Sequence, residues 1–421
     1  MAVKKKTDDV QEVSGPSKEE RRNKLLKKIN TDAVKKGITT SERPIAGSLS
    51  VMHALRGEKI PTGNLHLDLK LGGGLTRGTS TLLWGAPGGG KSQMAMMACS
   101  QAIAQGGTAL WIQTDPGDPT EMARIQGIPE GCDRFIHFDV MNSGEHTFEI
   151  LQSFLTENDM PSDLVDIVVI DSIAGLAPRE ELAAIAKDGL ADSSQGMSLP
   201  ERMMSRLFRI MHSTKMYDKA AVILISEARV DLGSYGSPLK AKGGNATMHG
   251  VRLNLRLAAI GGKSGLLTTG SGTTERVVGH KYKLKFIKDG LRHRWQHYEF
   301  ENEVYYGLGL DNNAALYQLI MEEDGFVKTG GTHTPSDKLR VILPAGEFRY
   351  GSEAKTREAL KTDSVLKEAV KEFLRNVYSS NVTLQIEPEE DYADRQIEEY
   401  GDLLAEPEEV SEEQGALMQE A

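Results

Sequence analysis

A chain of 421 residues, 39% hydrophobic and 26% charged, can bury one large core with appendages. No apolar run approaches a membrane span, and Met1-Ala2-Val3-Lys4-Lys5-Lys6 leads into polar residues instead of a signal-peptide core, so the cytoplasm is the expected compartment. Two cysteines, Cys99 and Cys132, exclude a disulfide framework or an unaided zinc site, and the formal charge of −10 is concentrated in Glu387 to Ala421, where 14 acidic residues face the single Arg395 and leave +3 for the remainder. A slightly basic body with an acidic tail fits nucleic-acid-binding proteins whose tails compete for the basic surface, and equally a tail that only solubilises.

Residues 1–59 read as an arm. Ser17 and Glu20 form a capping box, Leu25, Leu26, Ile29, Ala33 and Val34 an apolar stripe, and Gly37 a stop, so a basic amphipathic helix is expected, able to pack on its own core or on a neighbouring subunit. From Ile60 a core begins that runs to residue 330. Leu82 to Ser92 is an apolar run breaking into a glycine-rich turn, Gly85-Ala86-Pro87-Gly88-Gly89-Gly90-Lys91-Ser92, which fits G-x-x-x-x-G-K-[ST]. Such a loop lets backbone N–H groups converge on a polyphosphate, with Gly85 and Gly90 relieving the tightest positions. Lys91 adds a point charge at the outer phosphates, Ser92 offers a hydroxyl to Mg2+, and the helix that follows aims its positive end at the anion.

Strands and helices then alternate. Strands are predicted over Thr108 to Thr114, Phe135 to Asp139, Asp166 to Ile170 and Ala220 to Ile225, and helices over Pro119 to Gln126, Thr147 to Thr156 and Arg202 to Met216. The pattern implies an α/β fold with a mainly parallel, doubly wound sheet and ligands at the carboxyl ends of its strands. Val277 to Lys288 and Trp295 to Glu301 extend it in antiparallel fashion. Gly330, Gly331 and Pro335 mark a boundary to a small α-rich domain over 331–382, in which Leu366, Val370, Phe373 and Val377 share a face, followed by a disordered acidic tail over 383–421. Ile167 to Ser172 delivers a carboxylate from a buried strand, the Walker B arrangement, which makes Asp171 the second magnesium ligand beside Ser92. His293 and His297 lack carboxylate or cysteine partners and are not expected to bind metal, and Met94, Met96 and Met97 are expected to pack a helix.

Five blocks in order carry a family resemblance: Pro61-Thr62-Gly63-Asn64-Leu65 with Leu67-Asp68; Gly73-Gly74-Leu75 with Gly78; Asp171-Ser172-Ile173-Ala174; Arg202-Met203-Met204-Ser205; and Lys242-Gly243-Gly244-Asn245-Ala246. From about Ile60 to Gly330 the chain resembles the bacterial RecA recombinases and their phage relatives of the UvsX type, with a weaker echo in the C-terminal helices. The resemblance implies an ATP- and Mg2+-dependent DNA recombinase that forms helical filaments on single-stranded DNA, pairs it with duplex DNA, and works with single-strand-binding and mediator proteins. It implies also that Asp115 takes the place of the family's water-orienting glutamate, one methylene shorter, and that Ser226 and Glu227 replace its Asn-Gln pair. Glu227 cannot donate to a γ-phosphate while ionised, so Asp115 and Glu227 are read as sharing the water-orienting role, with Lys91 as the third catalytic group.

Asp118 and Met122 match positions near the family's adenine contacts, and Lys288 matches the first of two lysines that reach a neighbouring subunit's ATP, the second being Gly290 here. The first DNA-binding loop falls on Asp188 to Pro200, with Arg202 and Arg209 beyond it. The second falls on Asp231 to Met248, with Tyr235, Lys240, Lys242, Gly243, Gly244 and Asn245. The shortened second loop and altered catalytic positions lean toward a phage-encoded relative, acting in the host cytoplasm. Two alternatives share the fold: a hexameric helicase, which the lack of a sizeable accessory domain disfavours, and a nucleotide-gated DNA-binding scaffold with little turnover, which Asp115 and Glu227 keep open.

Overall fold

The structure, a computed structural model, describes residues 18–36, 59–115, 117–139, 143–157, 160–161, 163–188, 199–214, 217–230, 239–242, 244–270, 274–290, 295–322, 326–328, 339–343, 346–350 and 353–377. The expectations placed on Ser17, Gly37, the linker from Thr39, the glycines at 330 and 331, Pro335 and the acidic tail fall outside these residues.

A single sheet organises the core. Its order is Gly309–Leu310, Glu299–Tyr305, Arg276–Asp289, Leu253–Ala259, Thr79–Gly85, Ala221–Val230, Ile167–Asp171, Ala109–Gln113 and Phe135–Asp139. The strands from Leu253–Ala259 through Phe135–Asp139 pair in parallel, and the others add on antiparallel. The P-loop strand lies mid-sheet and all seven of its residues are buried, the polar Thr79, Ser80 and Thr81 as well as the apolar Leu82, Leu83 and Trp84. Successive side chains nevertheless divide between two faces. Leu83, Trp111, Val169 and Ile223 join Met94, Met96 and Cys99 of the helix Lys91–Ala104 on one side, and Leu82, Leu110, Ile170 and Leu224 join Met203, Leu207 and Phe208 of the helix Leu199–Thr214 on the other. The methionines after the P-loop are thus packing residues. Burial pushes the Cys99 thiol well above its usual range, so it is inert as a nucleophile.

Three features differ from expectation. The helix expected from Thr147 starts at Gly144, because the Ser143 side chain accepts from the His146 backbone and caps the first turn. The strand expected over Trp295 to Glu301 begins only at Glu299. Residues before it form a turn in which His297 adopts φ +67° and donates its backbone N–H to Phe286, while Trp295 Nε1 donates to the Lys70 carbonyl. The C-terminal region holds the helices Glu353–Thr362 and Ser364–Val377 but also a three-stranded antiparallel sheet of Phe326–Lys328, Leu339–Leu343 and Gly346–Tyr350. Leu360, Leu366, Val370 and Leu374 of these helices share one cluster with Leu316, Leu319 and Ile320 of the helix Asn312–Glu322 and with Leu65 and Leu69 of the helix Leu65–Leu71. Buried Glu303, 3.0 Å from Lys281 and 2.9 Å from Arg357, ties the helix Glu353–Thr362 to the antiparallel strands.

The helix Lys18–Lys35 belongs to a separate compact unit. Ala33 is buried, but Leu25 remains 57% exposed.

Candidate active site and nucleic-acid interface

The parallel register sets the site. It pairs Gly85 with Glu227 and Gln113 with Asp171, so the P-loop, the Walker B carboxylate and Glu227 emerge at one edge of the sheet. Gly85 is needed because a Cβ there would lie 1.8 Å from the Leu257 carbonyl oxygen, and Gly90 because it takes φ +82° as the helix Lys91–Ala104 begins. Ala86, Pro87 and Gly88 are exposed and Gly89 is buried, leaving the loop's outer backbone open to an anion.

Lys91 curls back over the loop, donating to the carbonyls of Gly85 at 3.2 Å and Ala86 at 2.9 Å. Burial lowers its pKa, and Asp171 and Glu227 oppose that shift. Asp171 moves the other way. Burial raises its carboxyl, a hydrogen bond from Ser92 lowers it, and the nearby Asp115 charge raises it further. Ser92 and Asp171 therefore meet, and a hydroxyl beside a carboxylate at a phosphate-binding loop is a hard-oxygen pair that suits Mg2+, which takes its remaining ligands from phosphates and water.

Asp115 is held by a clamp that the sequence did not reveal. The Thr114 backbone N–H donates to the Asp171 carbonyl at 2.8 Å, its hydroxyl donates to the Ser172 carbonyl at 2.7 Å, and the Ser172 backbone N–H returns a bond to that hydroxyl at 2.8 Å. Ser172 Oγ then donates to Asp115 Oδ2 at 3.0 Å, with the Asp171–Ser172 peptide bond cis. Glu227 opposite Gly85, Asp171 at the end of its strand and Asp115 just beyond the end of its own thus stand along three successive strands on one side of the P-loop strand. Asp118 is exposed, and the Thr120 side chain and then its backbone N–H hold its carboxyl below the usual range. Met122 is half-buried against the P-loop helix cluster, so packing accounts for its apolar side chain.

On the helix Leu199–Thr214 the exposed Arg202 and Arg209 lie on one face, and exposed Arg206 stands between them. Arg206 went unnoticed in the sequence, although its i, i+4 spacing from Arg202 was the available signal. A groove of about 490 Å³ opens beside these arginines, its other wall carrying Glu145, Glu149 and Glu180. The helix Gly244–Gly250 packs on the same helix. A Cβ at Gly244 would lie 2.2 Å from the Glu201 carboxylate and one at Gly250 would lie 2.5 Å from the Phe208 ring, so the roots of both expected DNA loops are joined. Lys240 and Asn245 are exposed, whereas Tyr235, Gly243 and His293 lie outside the described residues.

Two residues expected at DNA and at a neighbour's nucleotide are engaged within the chain in this structure. Lys242 turns inward and donates to the Ala174 carbonyl at 2.6 Å; burial and then Arg229 lower its pKa, against the opposing charges of Glu227, Asp115 and Glu181. Lys288 donates to the carbonyls of Met248, His249 and Val251 at 3.3, 3.0 and 2.7 Å, closing the C-terminal end of the helix Gly244–Gly250 on its own chain.

A phosphate loop, a carboxylate strand one strand removed from it and a largely parallel sheet define a P-loop ATPase. Within that class, the family model of the RecA N-terminal domain matches residues 35–311. The chain is 30% identical over 318 residues to Protein RecA of Thermus thermophilus, covering 74% of this chain and 83% of that one. It is 29% identical over 319 residues to Protein RecA of Blastochloris viridis, covering 74% and 84%, and 30% identical over 281 residues to that of Saccharopolyspora erythraea, covering 66% and 74%. The chain belongs to the RecA family. It is a DNA-dependent ATPase and an ATP-dependent DNA recombinase.

Proposed function

We propose that ATP seats its phosphates on Gly85 to Ser92, with Lys91 at the outer phosphates and Asp118 and Met122 flanking the base. Ser92 and Asp171 would hold Mg2+, which neutralises phosphate charge. Asp115 and Glu227 orient the attacking water. Ser172 and Thr114 fix the Asp115 carboxylate, which shortens the search for a reactive geometry that the missing methylene would otherwise lengthen.

Single-stranded DNA runs over Arg202, Arg206 and Arg209, continuing along Lys240, Gly244 and Asn245, with Tyr235 and Gly243 in the same loop. The chain assembles head to tail into an open helical filament and pairs the bound strand with duplex DNA. At that interface Lys288 exchanges its own chain's carbonyls for a neighbour's nucleotide, and the helix Lys18–Lys35 docks on the adjacent subunit. The filament works in the cytoplasm, served by single-strand-binding and mediator proteins.

The observation that carries this reading is the convergence of Lys91, Asp115, Asp171 and Glu227 on one sheet edge, beside the roots of both loops. It is tested by DNA-stimulated ATP hydrolysis in Asp115→Asn, Glu227→Gln and the double variant, with electron microscopy of the assemblies. Hydrolysis should fall in each single variant and nearly vanish in the double, and the particles should be open filaments. Near-unchanged hydrolysis in the double, or closed rings, contradicts the proposal.

A further inference from the structure

Lys242 stands where two structural pathways meet. The strand Ala221–Val230 carries Glu227 at the nucleotide edge and continues into a hairpin with Leu239–Ala241, so the stem of the second loop is an extension of a strand that lines the ATP site. Lys242 follows directly. Its backbone N–H donates to the Glu227 carbonyl at 3.1 Å, and its own carbonyl accepts from the Ser226 hydroxyl at 3.1 Å. Its ammonium crosses to the Ala174 carbonyl, in the segment that joins Asp171 to the helix Arg179–Asp188 before the first loop. One side chain therefore joins the roots of both loops.

The charges around it are specific. Glu227, Asp115 and Glu181 favour its cationic form, while burial, first, and Arg229 disfavour it. Glu227 acts also on Lys91, so this carboxylate lies within the fields of both lysines. Three carboxylates around one phosphate cradle repel a polyanion, and a carboxylate at position 227 supplies no donor to the terminal phosphate. An ammonium on a four-carbon stem can supply one.

We infer that Lys242 is the residue through which this chain senses the γ-phosphate within one subunit: it balances Glu227 and Asp115, and with a triphosphate bound its ammonium leaves the Ala174 carbonyl for the terminal phosphate. Both loop roots then feel whether the nucleotide carries a third phosphate. Lys242 is accordingly removed from the DNA contacts. The inference rests on ATP occupying the Gly85 to Ser92 cradle, and the two ideas fail differently. If the cradle assignment is wrong, Lys91→Ala retains full affinity for both nucleotides.

The test is equilibrium binding of ADP and of a non-hydrolysable ATP analogue to the full chain, without DNA. Lys242→Gln should weaken the analogue about tenfold or more, the value of a charge-assisted hydrogen bond, and ADP about twofold or less. Lys242→Arg should retain most of the discrimination. Adding Glu227→Gln to Lys242→Gln should recover part of the lost analogue affinity, because the charge needing balance is gone. The inference is overturned by equal loss for both nucleotides, by no recovery in the double variant, or by unchanged discrimination, and a salt slope of DNA binding shallower by about one would then mark Lys242 as a phosphate contact instead. Should Lys242→Gln fail to fold, Lys242→Arg decides: lost discrimination in a folded arginine variant overturns the inference as well.

Discussion

Two buried lysines of this chain live in opposite electrostatic circumstances. Lys70 is sealed between the Trp295 and Tyr298 rings, 4.5 and 4.8 Å from their centroids, with its ammonium 3.0 Å from Glu322. The same carboxylate receives the Tyr298 hydroxyl, and His66 lies 3.6 Å away. Burial alone would raise Glu322, but the bonds from His66, Tyr298 and Lys70 outweigh it and hold the carboxyl at about 2. Lys91 is buried too, yet it donates to two backbone carbonyls of its own loop, and the nearest carboxylates act on it through space. At the structural site charge is satisfied inside the chain. At the functional site the lysine is bonded to carbonyls of the P-loop itself, and Asp171 beside it is raised, chiefly by burial.

The contrast can be broken first at its structural end. Glu322→Ala strands the Lys70 ammonium in an aromatic box and should cost about 3–5 kcal/mol, read as a lower denaturation midpoint, with nucleotide affinity little changed. Lys91→Ala should do the reverse, lowering DNA-stimulated kcat by about 10²–10³-fold while the thermal midpoint stays within a few degrees. A drop in midpoint as large as that of Glu322→Ala would show that Lys91 is structural after all.

Stability against pH sharpens the comparison. Asp68 is buried, and burial raises it from 3.8 to about 7 although the Thr62 backbone and hydroxyl both donate to it. A carboxyl whose folded pKa exceeds its unfolded one stabilises most when protonated, so this contribution is full below pH 3.8 and is lost as pH rises to about 7. Glu322, depressed from 4.5 to about 2, contributes above pH 4.5 and loses that contribution as pH falls toward 2. Asp68→Asn should therefore flatten the decline of the denaturation midpoint between about pH 4 and 7, and Glu322→Gln should flatten the decline on the acid side. The smallest effect is expected for Asp115→Glu, which restores the missing methylene. Turnover should rise a few-fold if reach limits water positioning, with KM unchanged, and should not rise if the Ser172 bond already sets the geometry.

Much of this was legible because it is written locally. The P-loop is eight consecutive residues whose glycines answer to one close carbonyl at Gly85 and to left-handed backbone at Gly88 and Gly90, and the strand alternation at Leu82 and Leu83 follows from the pleat. What escaped depends on distant partners. Lys70 and Glu322 are far apart in sequence, and nothing near Leu69 announces that a lysine will be buried there. Thr114 and Ser172 look like ordinary strand ends until two strands set them side by side. The run from Trp295 to Glu301 has a strand's composition, but its aromatics serve the Lys70 box, and the chain turns at His297 to deliver them. Lys242 sits among glycines, as a DNA-tracking lysine would, and only the fold reveals the carbonyl it reaches.

The ten-residue strand Ala221–Val230 has one further consequence. Glu227 faces the phosphate loop, and three residues later Val230 already pairs with Leu239 at the base of the hairpin. At about 3.3 Å per residue the separation along the strand is about 10 Å, comparable with the Debye length at 0.1 M salt. Charge arriving at either end is thus only partly screened from the other, and the coupling between nucleotide and nucleic acid should weaken as ionic strength rises even while each is held at saturation.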